Sequence, residues 1–131
     1  MLRSQVLTLL TNGGGAATVP AEVSLPGRKI HAVEFVLGTL TSGAATVTLT
    51  DVGDAAVGGV TKTLLTLTNP AANAVYYPRT VVHDAAGAAL TVTTGSDRHP
   101  QFVITGKLTA TVSGGGATKT GYFIVWYEEV K

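Results

Sequence analysis

Apolar and polar residues alternate with a period of two along most of the chain. In "QFVITGKLTATV" (residues 101–112), every second position from Phe102 to Val112 is apolar or glycine, and the positions between them are mostly threonine. The same alternation occurs in "ATVTLTD" (45–51) and "ALTVTTG" (89–95). Successive side chains of an extended strand point to opposite faces, so this pattern predicts strands with one buried face and one threonine-rich face.

Further strand candidates are separated by strong turn signals. The candidates are residues 3–11, 21–25, 29–37, 61–68, 75–82 and 122–130. Clusters such as "NGGG" (12–15), "NPAAN" (69–73) and "SGGG" (113–116) lie between them and favour turns. The alanine-rich patches near Ala55 and Ala71 are too short for helices of any length.

These elements predict an all-β fold. We expect one domain over residues 1–131, an antiparallel β-sandwich or jelly-roll-like barrel of about eight strands. Residues 1–20 would form its first strand or an N-terminal arm, with the glycines at 13–15 as a hinge. We expect the small-residue loops at 13–18 and 51–60 to be mobile unless something binds them.

Composition narrows the functional classes. Charged residues are 13% of the 131 residues, about half the usual globular share, and the net charge is +1. The nine basic residues are scattered from Arg3 to Lys131 rather than clustered, so we expect no direct binding of nucleic acid. No apolar run approaches the length of a membrane-spanning helix, so no membrane partner is expected. Cysteine is absent, which removes disulfides and thiolate metal sites.

The glycine-rich loop before the last strand carries a Lys119-Thr120 pair, which raises the question of a phosphate site. A P-loop needs glycine immediately before the lysine and another five residues earlier, but Thr118 and Ser113 occupy those positions. The segment that follows has the pattern of a strand, so the helix N-terminus that would bind the anion is missing. We therefore expect a flexible hairpin connection between two long antiparallel strands and no cofactor.

The titratable residues do not form a catalytic or metal-binding pattern. Alternation places His31 on the same strand face as Val33, Phe35 and Leu37, which favours a satisfied strand or interface histidine. The His83-Asp84 pair lacks the additional ligands of metal phosphohydrolases, and "DVGD" (51–54) lacks the ligand spacing of an EF-hand. There is no G-x-S-x-G nucleophile elbow. We predict no catalytic, cofactor-binding or metal-binding residues, and hence no enzyme.

Two segments suggest binding to another protein. "YFIVWY" (122–127) is apolar on both faces, although a sandwich normally buries only one face of each sheet. Either another subunit covers the outer face, or a loop or the N-terminal strand of the same chain does so. Tyr76, Tyr77 and Arg79 have the composition of an interface anchor, or they mark a sheet corner at which Pro78 ends the pairing.

"SDRHP" (96–100) is the most polar stretch and predicts surface or intersubunit ion pairing. Together these segments supply the candidate interface residues. They are Tyr76, Tyr77, Arg79, Arg98, His99, Phe123, Trp126 and Tyr127.

The C-terminal part of the chain resembles a known class of proteins. "YYPRTVVHDAAGAALT" (76–91) and "GKLTATVSGGGATKTGYFIVWYEE" (106–129) are similar, in their turn and strand patterns, to small virion structural proteins of tailed bacteriophages, most of all capsid decoration (cement) proteins. The resemblance implies a homotrimer on the outer capsid surface of the virion, with the major capsid protein as partner. It brings no catalytic motif. A tail or head-to-tail connector protein that forms a ring is the alternative within the virion, and a carbohydrate-binding β-sandwich module is the alternative outside it.

Overall fold

The computed structural model describes residues 2–21, 24–53, 59–79, 85–86 and 101–129. These residues contain eight strands and no helix, which confirms the predicted all-β class. No helix capable of crossing a membrane occurs among them. The strands are β1 (Leu2–Leu10), β2 (Ala17–Pro20), β3 (Lys29–Val36), β4 (Thr46–Asp51), β5 (Lys62–Thr68), β6 (Ala74–Tyr76), β7 (Leu108–Ser113) and β8 (Thr120–Glu128).

The strands form two four-stranded antiparallel sheets. Sheet A has the order β1-β8-β3-β6, and sheet B has the order β2-β7-β4-β5. The first four strands thus pair with the last four in reverse order: β1 with β8, β2 with β7, β3 with β6 and β4 with β5. This is one long hairpin rolled into two sheets, the jelly-roll arrangement. The predicted β-sandwich is confirmed, and its strand order is that of a jelly roll.

The core lies between the two sheets and consists of the inward-facing positions of each strand. Phe35 of β3 and Phe123 of β8 lie opposite each other in the register, with ring centroids 5.6 Å apart, and both are fully buried. Burying a side chain of this size contributes about 1.5–3 kcal/mol of transfer free energy. The other large, fully buried apolar side chains are Leu7, Leu9, Ile30, Val33, Val47, Leu49, Ile104, Leu108 and Val125.

The segment predicted as one strand over 101–112 changes sheets partway along. Its first part bonds to the start of β3 in sheet A: Ile30 N–H donates to Phe102 O (2.9 Å), and Ile104 N–H donates to Arg28 O (2.8 Å). Its second part is β7 in sheet B. The prediction of a single continuous strand over 101–112 was therefore wrong. The predicted inward face is confirmed, since every second residue from Ile104 to Val112 is buried.

Gly106 marks the point at which this segment leaves sheet A. A Cβ atom at Gly106 would lie 1.9 Å from the carbonyl oxygen of Gly53, so only glycine fits this crossing of two backbones. Leu25 N–H donates to Gly106 O at 3.1 Å, and Val52 N–H donates to Lys107 O at 3.1 Å. The backbone thus keeps hydrogen-bond partners on both sides of the crossing.

Two other predicted strands differ from the structure. The second strand of the structure is Ala17–Pro20, whereas the prediction was 21–25. Ala21, Ser24 and Leu25 are not in a strand, and residues 22–23 lie outside the described ranges. The prediction over 75–82 is confirmed only for a short strand, Ala74–Tyr76, and residues 80–82 lie outside the described ranges. The predicted strand at 89–95 lies wholly outside them.

The glycine-rich loop at 113–118 is not the predicted hairpin, because β7 and β8 belong to different sheets. It crosses between the sheets and packs against the loop that joins β1 to β2. Gly115 N–H donates to Gly15 O (2.9 Å), and Thr118 N–H donates to Asn12 O (3.2 Å). The buried Thr11 hydroxyl accepts from Lys119 N–H (2.7 Å) and donates to Gly116 O. These hydrogen bonds connect the loop that joins β1 to β2 with the loop that joins β7 to β8, and we call these loops the two glycine loops.

Candidate interaction surface

The outer face of sheet A is largely apolar. Its central row, read from the register, is Val75 on β6, Glu34 on β3, Ile124 on β8 and Val6 on β1. The other side chains of this face are Leu2, Ser4, Thr8 and Leu10 on β1, Lys29, Ala32 and Val36 on β3, and Thr120, Tyr122, Trp126 and Glu128 on β8, with the charged residues Lys29 and Glu128 at one end. Val6 is 56% exposed and Trp126 is 38% exposed, whereas Tyr122 and Ile124 are half-buried. We call this surface the sheet A outer face.

The N-terminal strand does not cover this face. β1 lies beside β8 and pairs with it continuously, from Leu2 opposite Glu128 to Leu10 opposite Thr120. Of the two intrachain alternatives for covering the outer side of β8, the one that used the N-terminal strand was therefore wrong. By pairing edge to edge, β1 enlarges the apolar surface with Leu2, Val6 and Leu10.

The residues predicted on the last strand divide between its two faces. Trp126 lies on the sheet A outer face, opposite Ser4 and Ala32. Phe123 faces the core and is fully buried, so its inclusion among the interface residues needs correction: the sandwich interior of the same chain accounts for its burial. Tyr127 is half-buried and packs against the core.

The Tyr76-Tyr77 pair divides in the same way. Tyr76 packs against the core, whereas Tyr77 is 60% exposed and meets the His31 ring edge-on, with centroids 6.5 Å apart. Arg79 Nη1 donates to Pro78 O (2.8 Å) and to His31 O (3.4 Å). Tyr77, Arg79 and His31 thus form a polar and aromatic corner where β6 ends.

His31 sits at an irregularity in the pairing of β3 with β8. The register shifts between Ile30 and Ala32, so that Ile30 and Val33 both face the core. The bulge interrupts the alternation from which His31 was placed on the same face as Val33, and His31 is only half-buried whereas Val33 is fully buried. His31 is half-buried and in contact with Tyr77, as expected for a satisfied strand or interface histidine.

Several predicted residues lie outside the described ranges. They are His83, Asp84, Asp97, Arg98 and His99, together with Asp54 of the "DVGD" motif.

The exposed apolar residues of β1 were missed by the sequence reasoning. Leu2, Val6 and Leu10 belong to a strand in which Leu7 and Leu9 supply the core-facing residues. The run "VLTLL" (6–10) is apolar on both faces, which is the same signal that drew attention to the last strand. Val75 of β6 was also missed, because that strand has only three residues and no readable period.

The outer face of sheet B has a different chemistry. One row across all four strands consists of Thr18, Thr111, Thr48 and Thr66, which are mutual neighbours in the register. The next row consists of Pro20, Thr109, Thr50 and Thr63. This surface is uncharged and rich in hydroxyl groups, so the molecule has one apolar and one hydrophilic outer face.

Asp51 is a fully buried carboxylate at the end of β4. Its Oδ2 accepts from Thr105 N–H (2.7 Å) and Thr105 Oγ1 (3.0 Å), and lies 3.7 Å from Lys62 Nζ. Its Oδ1 accepts from Gly53 N–H (3.1 Å). Through these contacts the Asp51 carboxylate connects β4 with β5 and with the segment that crosses between the sheets. No group of three or more His, Asp or Glu side chains suited to a metal ion occurs within the described ranges.

Comparisons with known proteins establish no family. No protein-family model matches the chain, and no curated protein matches it. Among solved structures, a crystal structure of PirA is similar with a TM-score of 0.44 and 13% sequence identity, covering 95% of this chain and 93% of that one.

Proposed function

We propose that this protein is a virion structural protein that decorates the outside of a tailed-phage head and stabilises contacts between major capsid subunits. The observation that carries the proposal is the sheet A outer face, where Val6, Trp126 and Leu10 remain exposed on a small domain. Contiguous apolar surface of this kind marks protein interaction sites. The resemblance of the C-terminal segments to decoration proteins supplies the class of partner.

The low charge of the chain supports the same class of function. Only 13% of its residues are charged, and threonine dominates the other outer face. A decoration protein acts in many copies, and a closed lattice adds their modest interfaces together through multivalency. We propose a homotrimer, since three copies match the local three-fold axes of such a lattice.

A reconstitution experiment tests this proposal. Purified protein is mixed with expanded phage heads that lack decoration, and bound protein is measured by cosedimentation. We expect saturable binding with a fixed number of copies per head, and an increase in the temperature at which the heads disrupt. A folded protein that does not sediment with the heads would contradict the proposal. A connector would instead bind only at the head vertex, in a far smaller number of copies.

A second candidate function is binding of carbohydrate, which is favoured by one observation. Tyr77 is 60% exposed and is oriented by its edge-on contact with His31, so an aromatic ring is available at the surface for stacking on a sugar. Jelly rolls also occur in lectin domains. A glycan array distinguishes the candidates: specific binding that is lost in Tyr77→Ala would favour the carbohydrate function.

A further inference from the structure

The edge strands of the two sheets differ in the features that prevent them from pairing with a strand of another chain. Edge strands can pair with another chain, and proteins usually prevent this with short length, proline, lysine or a bulge. β6 has three residues, and β2 has four and ends at Pro20. β5 begins at Lys62, and its register with β4 shifts between Leu49 and Thr50. Three of the four edges within the described ranges thus carry a protective feature.

β1 is the exception. It has nine residues, pairs with β8 without a register shift, and contains no proline, glycine or lysine. Its one charged residue, Arg3, lies near one end, with Nε 3.1 Å from Glu129 Oε2. The exposed fractions of Leu2, Val6 and Leu10 are 46%, 56% and 59%. β1 therefore combines a long, regular edge with exposed apolar side chains.

The outward-facing residues of β1 form a palindrome: Leu2, Ser4, Val6, Thr8 and Leu10. If a second β1 lies antiparallel to the first, with a two-fold axis at Val6, each leucine meets a leucine, each serine meets a threonine, and the two valines meet each other. Moving the axis by one residue in either direction places apolar residues opposite serine or threonine. Moving the axis by two residues keeps apolar residues opposite each other but pairs only three of the five outward residues. The register centred on Val6 therefore pairs the most residues, and its occupant is a second copy of the same strand.

We infer that two copies of this protein pair through β1 around a two-fold axis at Val6. The described strands then form one continuous eight-stranded sheet, β6-β3-β8-β1-β1-β8-β3-β6, and the two sheet A outer faces merge into one apolar surface. A two-fold interface uses the same residues on both sides, which is what a palindromic strand supplies. The inference does not rest on attachment to a phage head. If the chain also forms the proposed trimer, this contact joins one trimer to another.

Cysteine cross-linking tests the register directly, because the natural chain contains no cysteine. Directly opposed residues on antiparallel strands have Cβ atoms about 4.5–5.5 Å apart, close enough for a disulfide after a small adjustment. Val6→Cys should therefore form a covalent dimer under mild oxidation. Ser4→Cys is the matched control on the same face. In this register the two copies of residue 4 are four positions apart along the strand, about 14 Å, so this variant should stay monomeric on a non-reducing gel. The double variant Ser4→Cys, Thr8→Cys should cross-link.

The native mass supplies a second readout. Val6→Lys places two ammonium groups next to each other at the axis, so we expect its mass by light scattering to be half that of the natural protein. Far-UV circular dichroism and cooperative unfolding show whether each variant is folded. Equal cross-linking of Val6→Cys and Ser4→Cys, or a mass of 13.3 kDa for the natural protein at all concentrations tested, would overturn the inference. An extended segment of another protein bound along β1 of a monomer would also overturn it. Head binding is measured separately, so the two proposals can fail independently.

Discussion

At the scale of single residues, a buried threonine links the two glycine loops. The Thr11 hydroxyl accepts from Lys119 N–H and donates to Gly116 O, and Thr11 is 3% exposed. Thr11→Val keeps the shape of the side chain but leaves the partly buried Lys119 N–H and Gly116 O without this partner, which costs about 1–3 kcal/mol. We expect urea unfolding to show a loss of stability in this range. Thr66→Val, on the exposed outer face of sheet B, is the control and should change stability by less than about 0.5 kcal/mol. Equal effects of the two changes would contradict the assigned role of Thr11.

Asp51 has the same kind of role for the crossing segment. In Asp51 one carboxylate oxygen accepts from Thr105 N–H and the other accepts from Gly53 N–H. Asp51→Asn replaces one of these oxygens with an NH₂ group, which cannot accept, so one of the two N–H groups loses its partner. We expect a loss of about 1–3 kcal/mol in the free energy of unfolding. Lys62→Met removes only the ion pair at 3.7 Å, in which the lysine side chain is 36% exposed, so it should cost less. Calorimetry of both variants provides the comparison, and a larger effect for Lys62→Met would show that the ion pair, rather than the backbone hydrogen bonds, dominates.

At the scale of elements, the segment at 101–113 divides into two because Gly106 crosses the backbone of Gly53. Gly106→Ala would place a methyl group 1.9 Å from Gly53 O, and its three nearest atoms all belong to Gly53, which has no side chain that could rotate away. We expect a loss of more than about 3 kcal/mol, or failure to fold, measured as soluble yield and thermal unfolding. Gly13→Ala is the matched control, since nothing lies within 4 Å of its added Cβ, and it should be tolerated. Normal stability of Gly106→Ala would mean that the segment does not cross there.

The alternation of residues allowed the all-β fold and most inward faces to be predicted, because the side-chain period of a strand is a local property. The pairing of strands is not local. The residues "SGGG" are compatible with a hairpin and with a crossing between sheets. Similarly, no residue near His31 predicts the bulge that places both Ile30 and Val33 in the core. The doubly apolar last strand correctly indicated an apolar outer face at Trp126. Alternation also placed Phe123 and Trp126 on opposite faces, but it did not show which face is the inner one. The structure shows this, with Phe123 fully buried in the core and Trp126 38% exposed on the outer face.

At the scale of the whole molecule, the two outer faces predict which side meets a partner. The sheet A outer face is largely apolar, with Trp126 38% exposed, whereas the sheet B outer face consists mostly of threonine. Trp126→Lys should leave unfolding nearly unchanged because the side chain is outside the core. If the chain is a decoration protein, as proposed, the same change should weaken binding to undecorated heads by at least about tenfold, since a buried aromatic residue at an interface is often worth more than about 1.4 kcal/mol.

Thr66→Lys adds the same charge to the opposite face and should leave head binding unchanged. Titrating both variants against heads by cosedimentation separates the effect of the face from the effect of the added charge. The reverse result, with binding lost in Thr66→Lys and retained in Trp126→Lys, would place the partner on sheet B. The sheet A outer face would then not be the surface that meets the head, and the proposal would lose the observation that carries it. Because both variants add the same charge, the comparison depends only on which outer face carries the lysine.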